Sequence, residues 1–217
     1  MLYSGRIDVR YYLADNSRDI PHLPRATGIL PSEMLDLILE TERLILRNWL
    51  ESDVPSYMRL SEDVGYNCFS RPGHFLVRSI EEAQSKIRDR MTLFDKSGLG
   101  KFPIFLRDTE EFIGTCGLEP FELAGQPEVE LGYRLCLKHW GRGYATEAAS
   151  AILRHGFDTV GLQKTMAFVL PQNVASRRTL EKLGAVYLHD FVHADLAHRL
   201  YDLPRNRFVS GETARRE

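Results

Sequence analysis

No part of the chain limits its fold as strongly as the stretch from Val129 to Val160. Val129 to Leu137 alternates apolar with polar residues and carries Val, Tyr and Leu at strand-like spacing. Trp140-Gly141-Arg142-Gly143 follows as a glycine-rich turn. Ala145, Ala148, Ala149, Ile152, Leu153, Phe157 and Val160 then recur at helical intervals, and Gly161 stands where a helix C-cap is expected. The predicted order is strand, glycine turn, amphipathic helix, and the rest of the chain reads as support for it.

That order has a chemical use. The first turn of a helix carries backbone N–H groups without intrahelical partners, at the positive end of the macrodipole. Glycines just ahead of it let a ligand approach the backbone closely, so main-chain donors alone can hold a diphosphate. Arg142 adds a cation at the same place. Taken by themselves, Gly141 and Gly143 also read as a tight connection with no ligand.

The wider context favours the ligand. Gly141-Arg142-Gly143-Tyr144-Ala145-Thr146-Glu147-Ala148 resembles the acyl-CoA-binding motif of the GNAT superfamily of N-acetyltransferases. In that motif Gln or Arg is followed by two residues, Gly, one residue, then Gly or Ala. Gly143 and Ala145 fill the last two positions, while Trp140 replaces the first, as in the branch that acetylates ribosomal-protein N-termini. Asn173-Val174-Ala175-Ser176-Arg177-Arg178, with Glu181-Lys182-Leu183-Gly184-Ala185, is similar to a second family segment. Leu39 to Arg47 resembles the branch's first strand. Together the three blocks span most of Leu39 to Tyr187, in the family's order.

Composition sets bounds around this reading. A chain of 217 residues with 43% hydrophobic content suits one domain with a real core. The formal net charge of −2 argues against a general affinity for nucleic acid. Cys68, Cys116 and Cys136 are odd in number and without paired spacing, so neither a disulfide framework nor a zinc site is suggested, and a reducing cytoplasm fits. No apolar run has transmembrane length, and no signal-peptide pattern opens the chain.

Along the chain, residues 1–38 read as a loosely ordered extension broken by Pro21, Pro24, Gly28 and Pro31. Two origins stay open for it: an arm that packs on a partner subunit, or upstream translation, since Met34 lies just ahead of the first recognisable strand. The domain is expected over 39–209, with a flexible tail at 210–217. Its first strand runs over Thr41 to Trp49, and Ser52-Asp53 caps a helix with Pro55 in its first turn. Gly65 to Phe75 is irregular. Ser79 with Glu82 forms a capping box for a helix to about Phe94. Phe102 to Leu106, Phe112 to Leu118 and the Val129 strand form a meander, with Gly125-Gln126-Pro127 as punctuation. Lys164 to Leu170 is a strand, Asn173 caps a short helix to Leu183, and Ala185 to Phe208 holds two strands joined around His193 to Ala197. The pattern predicts an α/β fold with a mixed sheet. The resemblance implies a single GNAT domain, its sheet splayed at the centre and flanked by about four helices.

The resemblance also implies roles. It lays the pantetheine arm of acetyl-CoA, as co-substrate, along Leu135, Cys136 and Leu137. It lays the diphosphate on the N–H groups of Gly141, Arg142, Gly143, Tyr144 and Ala145, with the Thr146 hydroxyl beside them. Asn173 is either a pantetheine ligand or simply an N-cap, and Arg177 joins Lys138, His139, Arg142 and Arg178 as cations near an anionic cofactor or on a solvated face. Cys136 reads as a buried, inert thiol. Many relatives carry a Tyr seven residues after this Asn, where the chain has Leu180. Ser176 matches a serine used by some relatives, in the role of stabilising the leaving thiolate.

Acyl transfer needs a neutral amine. An α-amine with a pKa near 8 is already about a tenth free base at pH 7, whereas a lysine costs roughly 4 kcal/mol to deprotonate. A modest base therefore suffices for an α-amine. Glu130 is the candidate, or else an exposed strand carboxylate with no such role. His189, His193 and His198 lack a tight ligand motif for zinc, and no metal is required. The expectation is direct transfer from acetyl-CoA to a primary amine, on a protein N-terminus or a small molecule. A CoA-binding module without catalysis is the alternative. No direct nucleic-acid or membrane partner is expected, and the protein is expected to be a monomer or homodimer.

Overall fold

The computed structural model describes residues 9–11, 38–71, 73–193 and 195–209. Most of the expected extension and the whole expected tail lie outside the described residues. In chain order, Val9–Tyr11 (β1) is a short strand, and Ile38–Glu40 (β2) pairs antiparallel with Leu44–Arg47 (β3). The first domain strand is thus shorter than its alternating pattern predicts. Leu44 and Leu46 point into the core, and beyond Arg47 the chain turns away through a 3-10 turn at Glu51–Asp53.

The helix Val54–Glu62 (α1) has Pro55 in its first turn, as predicted, but Asp53 does not cap it with its side chain. The Asp53 carboxylate is already taken by the Arg47 guanidinium at 2.8 Å and the Leu50 N–H at 2.8 Å. A single turn, Val64–Asn67 (α2), forms in the stretch read as irregular, because the Asp63 carboxylate accepts the Tyr66 N–H. The helix Ile80–Ser97 (α3) opens on Ser79, whose hydroxyl accepts the Glu82 N–H, and closes on Gly98 in the left-handed region at φ 69°.

Three antiparallel strands follow: Gly100–Leu106 (β4), Phe112–Leu123 (β5) and Gln126–Leu135 (β6). Ala124 and Gly125 join the last two, both at positive φ (51° and 77°), the backbone of a two-residue type I′ hairpin. Gln126 and Pro127 therefore begin a strand rather than punctuate. The helix Tyr144–Arg154 (α4) crosses over to Lys164–Val169 (β7), and Val174–Lys182 (α5) leads to the closing hairpin Val186–His193 (β8) and Leu196–Pro204 (β9).

The sheet order is β2-β3-β4-β5-β6-β7-β9-β8, with β1 paired to the far end of β5. The predicted mixed α/β sheet is present. Five α-helices flank it among the described residues, the single-turn α2 included. Alternation along the strands packs both faces of the sheet. Cys116, Leu118, Val129, Leu131 and Leu135 pack with Ala148, Ala149, Ile152 and Leu153 of α4 and Leu180 of α5. On the opposite face, Trp49, Tyr57, Leu60, Tyr66, Ala83 and Ile87 enclose Cys136.

Candidate active site

Among the described residues the β6–β7 pair is the one parallel pairing in the sheet, and it is made at a single position, Glu130 opposite Met166. Beyond it the two strands part toward their carboxyl ends, the place where open α/β sheets take ligands. Cys136 N–H donates to the Ile113 carbonyl on β5 at 2.9 Å. Strand alternation then turns the peptide groups of Leu131, Tyr133 and Leu135 toward the opening. At its upper end the Leu135 carbonyl accepts the Trp140 indole N–H at 2.9 Å, and that indole stacks on Phe69 at 5.9 Å and 11°.

The glycine turn lies just beyond. Gly141 and Gly143 both have positive φ, 72° and 82°, which an L side chain rarely adopts. A Cβ at Gly141 would meet nothing within 4 Å, so the turn has open space above its backbone. The first main-chain bond of α4 runs from Glu147 N–H to Gly143 O, which leaves the N–H groups of Tyr144, Ala145 and Thr146 ahead of the helix ladder. This backbone fits an anionic diphosphate, with the exposed Arg142 beside it.

Sequence reasoning missed what holds the turn in place. The Glu147 carboxylate, in the first turn of α4, accepts the Thr41 hydroxyl at 2.6 Å, the Arg43 N–H at 2.9 Å and the Arg43 Nε–H at 2.7 Å. Arg43 also donates to the Arg142 carbonyl at 2.9 Å and lies 4.6 Å from the Tyr144 ring centroid. Burial alone would raise the Glu147 pKa, but these hydrogen bonds and the Arg43 charge outweigh it and hold the carboxyl below its ordinary value. Arg43 thus neutralises a carboxylate that would otherwise oppose anion binding at the helix N-terminus. The Thr41–Arg43 and Glu147 blocks are 104 residues apart between Arg43 and Glu147, a pairing that no local pattern reveals.

The two faces of β6 carry different groups. Toward α1–α3, Glu130 is 7% exposed and lies directly across the strand pair from Glu119. The Lys101 ammonium stands between them, 2.6 Å from Glu119 and 3.7 Å from Glu130. Its stem crosses Gly132, where a Cβ would lie 2.6 Å from Lys101 Cε. Burial disfavours each charge, yet mutual attraction wins: the Lys101 pKa is raised and the Glu119 pKa is lowered. The Arg134 guanidinium, on the same face, lies 4.0 Å from the Phe75 ring centroid and donates to the Tyr66 carbonyl at 3.0 Å. Toward α4 and α5, Tyr133 meets Ser176 with an oxygen–oxygen distance of 2.9 Å.

A family model described as an acetyltransferase (GNAT) domain matches residues 43–186. The chain belongs to the GNAT acetyltransferase family. The uncharacterized N-acetyltransferase YoaA of Bacillus subtilis (strain 168) is 34% identical over 153 residues, covering 68% of this chain and 81% of YoaA. Among solved structures, RimL, a ribosomal L7/L12 alpha-N-protein acetyltransferase in complex with coenzyme A, superposes with a TM-score of 0.66 at 16% identity, covering 77% of this chain and 98% of RimL. The ribosomal-protein-S5-alanine acetyltransferase from Vibrio fischeri gives a TM-score of 0.63 at 18% identity, covering 80% of this chain and all of that one. At those identities the likeness is one of fold. The chain is an acyltransferase, and its GNAT family uses acetyl-CoA.

The remaining predicted residues fall as follows. Cys136 is buried, and burial pushes its thiol pKa up to about 11, the environment of an unreactive cysteine. Its carbonyl accepts the His139 N–H, and the Leu137 N–H donates to Asp63 at 3.0 Å, so a 3-10 turn at Leu137–His139 already uses much of this backbone. The edge turned to the opening lies further back on β6, at Leu131 to Leu135. Asn173 caps α5 through the Ser176 N–H at 3.1 Å, and Arg177 donates to the Pro171 carbonyl at 3.3 Å. Lys138 is salt-bridged to Glu111, and His139 is buried with Nε2 3.5 Å from the same carboxylate. Leu180 is a core residue, 1% exposed. His193 and His198 form part of an aromatic wall with Phe168, at centroid distances of 5.5–5.9 Å.

Proposed function

We propose that this GNAT enzyme transfers an acetyl group directly to a primary amine, with donor and acceptor bound together across the β6–β7 opening. The observation that carries this reading is the opening itself, with the glycine turn at its upper end, a buried carboxylate on one side and a hydroxyl pair on the other. Bound acetyl-CoA supplies the acyl group as an activated thioester. The N–H groups of Gly141, Arg142, Gly143, Tyr144 and Ala145 hold its diphosphate, helped by Thr146, and the β6 edge up to Leu135 aligns the pantetheine, since the Cys136 and Leu137 N–H groups already donate to Ile113 and Asp63. Peptide N–H groups on that edge donate to the acyl oxygen as charge gathers there.

Glu130 takes the acceptor's proton, directly or through one water. The Lys101 ammonium lies 3.7 Å from that carboxylate. Glu119 is the poorer base, since its closer ion pair with Lys101 holds its pKa below the ordinary value. Ser176 donates a hydrogen bond to the leaving sulfur. The acceptors of the superposed ribosomal-protein acetyltransferases make a protein N-terminus the first candidate, with small-molecule amines second. The free cysteines, Cys68 among them exposed, suit a cytoplasmic setting.

The test is incubation with acetyl-CoA and a panel of N-terminal peptides, polyamines and amino acids, following thiol release and product mass together. Acetyl-CoA-dependent thiol release matched by an acetylated amine is expected. Tight CoA binding with no acetylated product across the panel would point instead to a CoA-binding module.

A further inference from the structure

We propose that Tyr133 is a positioning residue for Ser176: its phenol holds the serine hydroxyl so that the serine proton is presented to the departing sulfur. This rests on the Ser176 reading above and supplies the partner that reading lacks. Tyr133 stands on the α5 side of β6, on the part of the strand whose peptide groups face the opening. Its phenolic oxygen lies 2.9 Å from Ser176 Oγ and 3.0 Å from the Ser176 carbonyl oxygen. Both of these contacts are to Ser176, with the Thr179 side chain a further hydrogen-bond neighbour of the phenol, and Ser176 is itself fixed, because the Asn173 side chain accepts the Ser176 N–H at 3.1 Å.

The two contacts define two arrangements of one proton. When Tyr133 donates to the Ser176 carbonyl, its oxygen is left as an acceptor for the serine hydroxyl, and a serine proton bonded there is occupied. When Tyr133 donates to Oγ, the serine proton is released toward the opening. As the carbon–sulfur bond breaks, its electron pair stays on sulfur, which draws the serine proton into a hydrogen bond. The phenol O–H then turns from the carbonyl to Oγ. Each hydroxyl donates once, all in one direction, so the bonds polarise one another. No proton leaves Tyr133. Burial, partly offset by the Ser176 hydrogen bond, pushes the phenol pKa up, so Tyr133 stays a neutral donor throughout the neutral pH range. A tyrosine serving packing alone has a sufficient acceptor in the carbonyl, and the second, shorter contact to Oγ is what links it to the chemistry.

The experiment reads the thiol of bound CoA rather than turnover alone. Its ionisation is followed by thiolate absorbance in wild type, Tyr133→Phe, Ser176→Ala and the double variant, each checked by thermal melting. Tyr133→Phe should raise the bound thiol pKa by about one unit and lower kcat about tenfold, the scale of one hydrogen bond to a charged group. KM for acetyl-CoA should stay within twofold. The double variant should be no worse than Ser176→Ala, since Tyr133 acts only through the serine. Replacing Tyr133 with 3-fluorotyrosine, a more acidic phenol in the same shape, should lower the bound thiol pKa. If Ser176→Ala shifts the thiol and Tyr133→Phe does not, or if the two effects add, the inference is overturned while the serine reading stands. If Ser176→Ala itself shifts nothing, the serine reading falls and takes the inference with it. Should Tyr133→Phe melt early, the fluorotyrosine protein decides: no movement of the thiol pKa overturns the proposal.

Discussion

On one side of β6 the buried Glu130 faces the Lys101 ammonium, whereas on the other, three residues further along, Tyr133 faces Ser176 through uncharged hydroxyls. Both walls come from one strand, because successive side chains point to opposite faces. In the mechanism proposed above, the charged wall is the side that accepts a proton. The hydroxyl wall can donate hydrogen bonds without changing charge, which in the proposed mechanism suits a sulfur that becomes anionic as it leaves. Placing a carboxylate beside that sulfur would repel the charge it must carry. The period of the strand therefore separates Glu130 from Tyr133 and its Ser176 partner by about 10 Å of backbone and a change of face.

The glycine turn belongs with the hydroxyl side, and the largest effect is expected there. Gly143→Asp places a side chain at φ 82°, where a Cβ would come 3.4 Å from Arg43 Nη2, and adds a negative charge at the helix N-terminus. CoA affinity should fall at least a thousandfold in calorimetry, given combined backbone strain and charge repulsion of about 4 kcal/mol or more. The charged wall should be untouched. Unchanged affinity in a folded variant would remove the diphosphate from this turn.

Next comes Glu130→Gln, which keeps shape but removes the base. The rate with an α-amine acceptor should drop roughly a hundredfold, the usual scale for a positioned general base, with CoA affinity unchanged. In the variant the rate should go on rising until the acceptor itself loses its proton, near pH 8 for an α-amine. A wild-type profile would merge the two walls into one scaffold and move the base elsewhere, with Glu119 next in line.

Much of this was legible from residues alone, for physical reasons that differ by element. The strand, the turn and the start of α4 follow from local spacing and from glycines that φ values above zero demand, while the helical spacing read on to Val160 gives way after Arg154 to a π-helical turn at His155–Thr159. Ser79 and Asn173 act as caps because capping is a local contact. The misses share a different cause. Asp53 reads as a cap until Arg47 claims its carboxylate, and Gln126-Pro127 reads as a turn until Ala124 and Gly125 make it instead. Lys101 attracts no notice in sequence, yet it organises the charged wall, since its partners Glu119 and Glu130 come from two other strands. Tyr133 reads as one more apolar position of a strand, and its hydroxyl acquires meaning only when α5 brings Ser176 to it. Contacts across the sheet are set by register and packing, which no single segment encodes.

The smallest expected effect is one of stability, and it tests whether the charged wall is electrostatic at all. Lys101→Met preserves the aliphatic stem over Gly132 but leaves Glu119 and Glu130 facing each other, like charges directly across a strand pair. Removing one partner of a largely buried ion pair should cost about 2 kcal/mol near neutral pH, less than for a fully buried pair because each side chain retains some exposure. The pH dependence follows from the shifts. The Glu119 pKa lies below its ordinary 4.5, so its contribution is present above that value and is lost as pH falls through the folded pKa. The Lys101 pKa lies above its ordinary 10.5, so its contribution is complete below that value and is lost only as pH rises through the folded pKa. Between about pH 5 and pH 10 both groups stay charged in wild type, so this pair adds no slope to wild-type denaturant unfolding there. Below about pH 4 the wild-type advantage should shrink, because protonated carboxyls no longer need the ammonium. A gap that persists undiminished into acid would mean that Lys101 stabilises β4–β6 through its packing, and the contrast between a charged and an uncharged face of β6 would then lie in Glu130 alone.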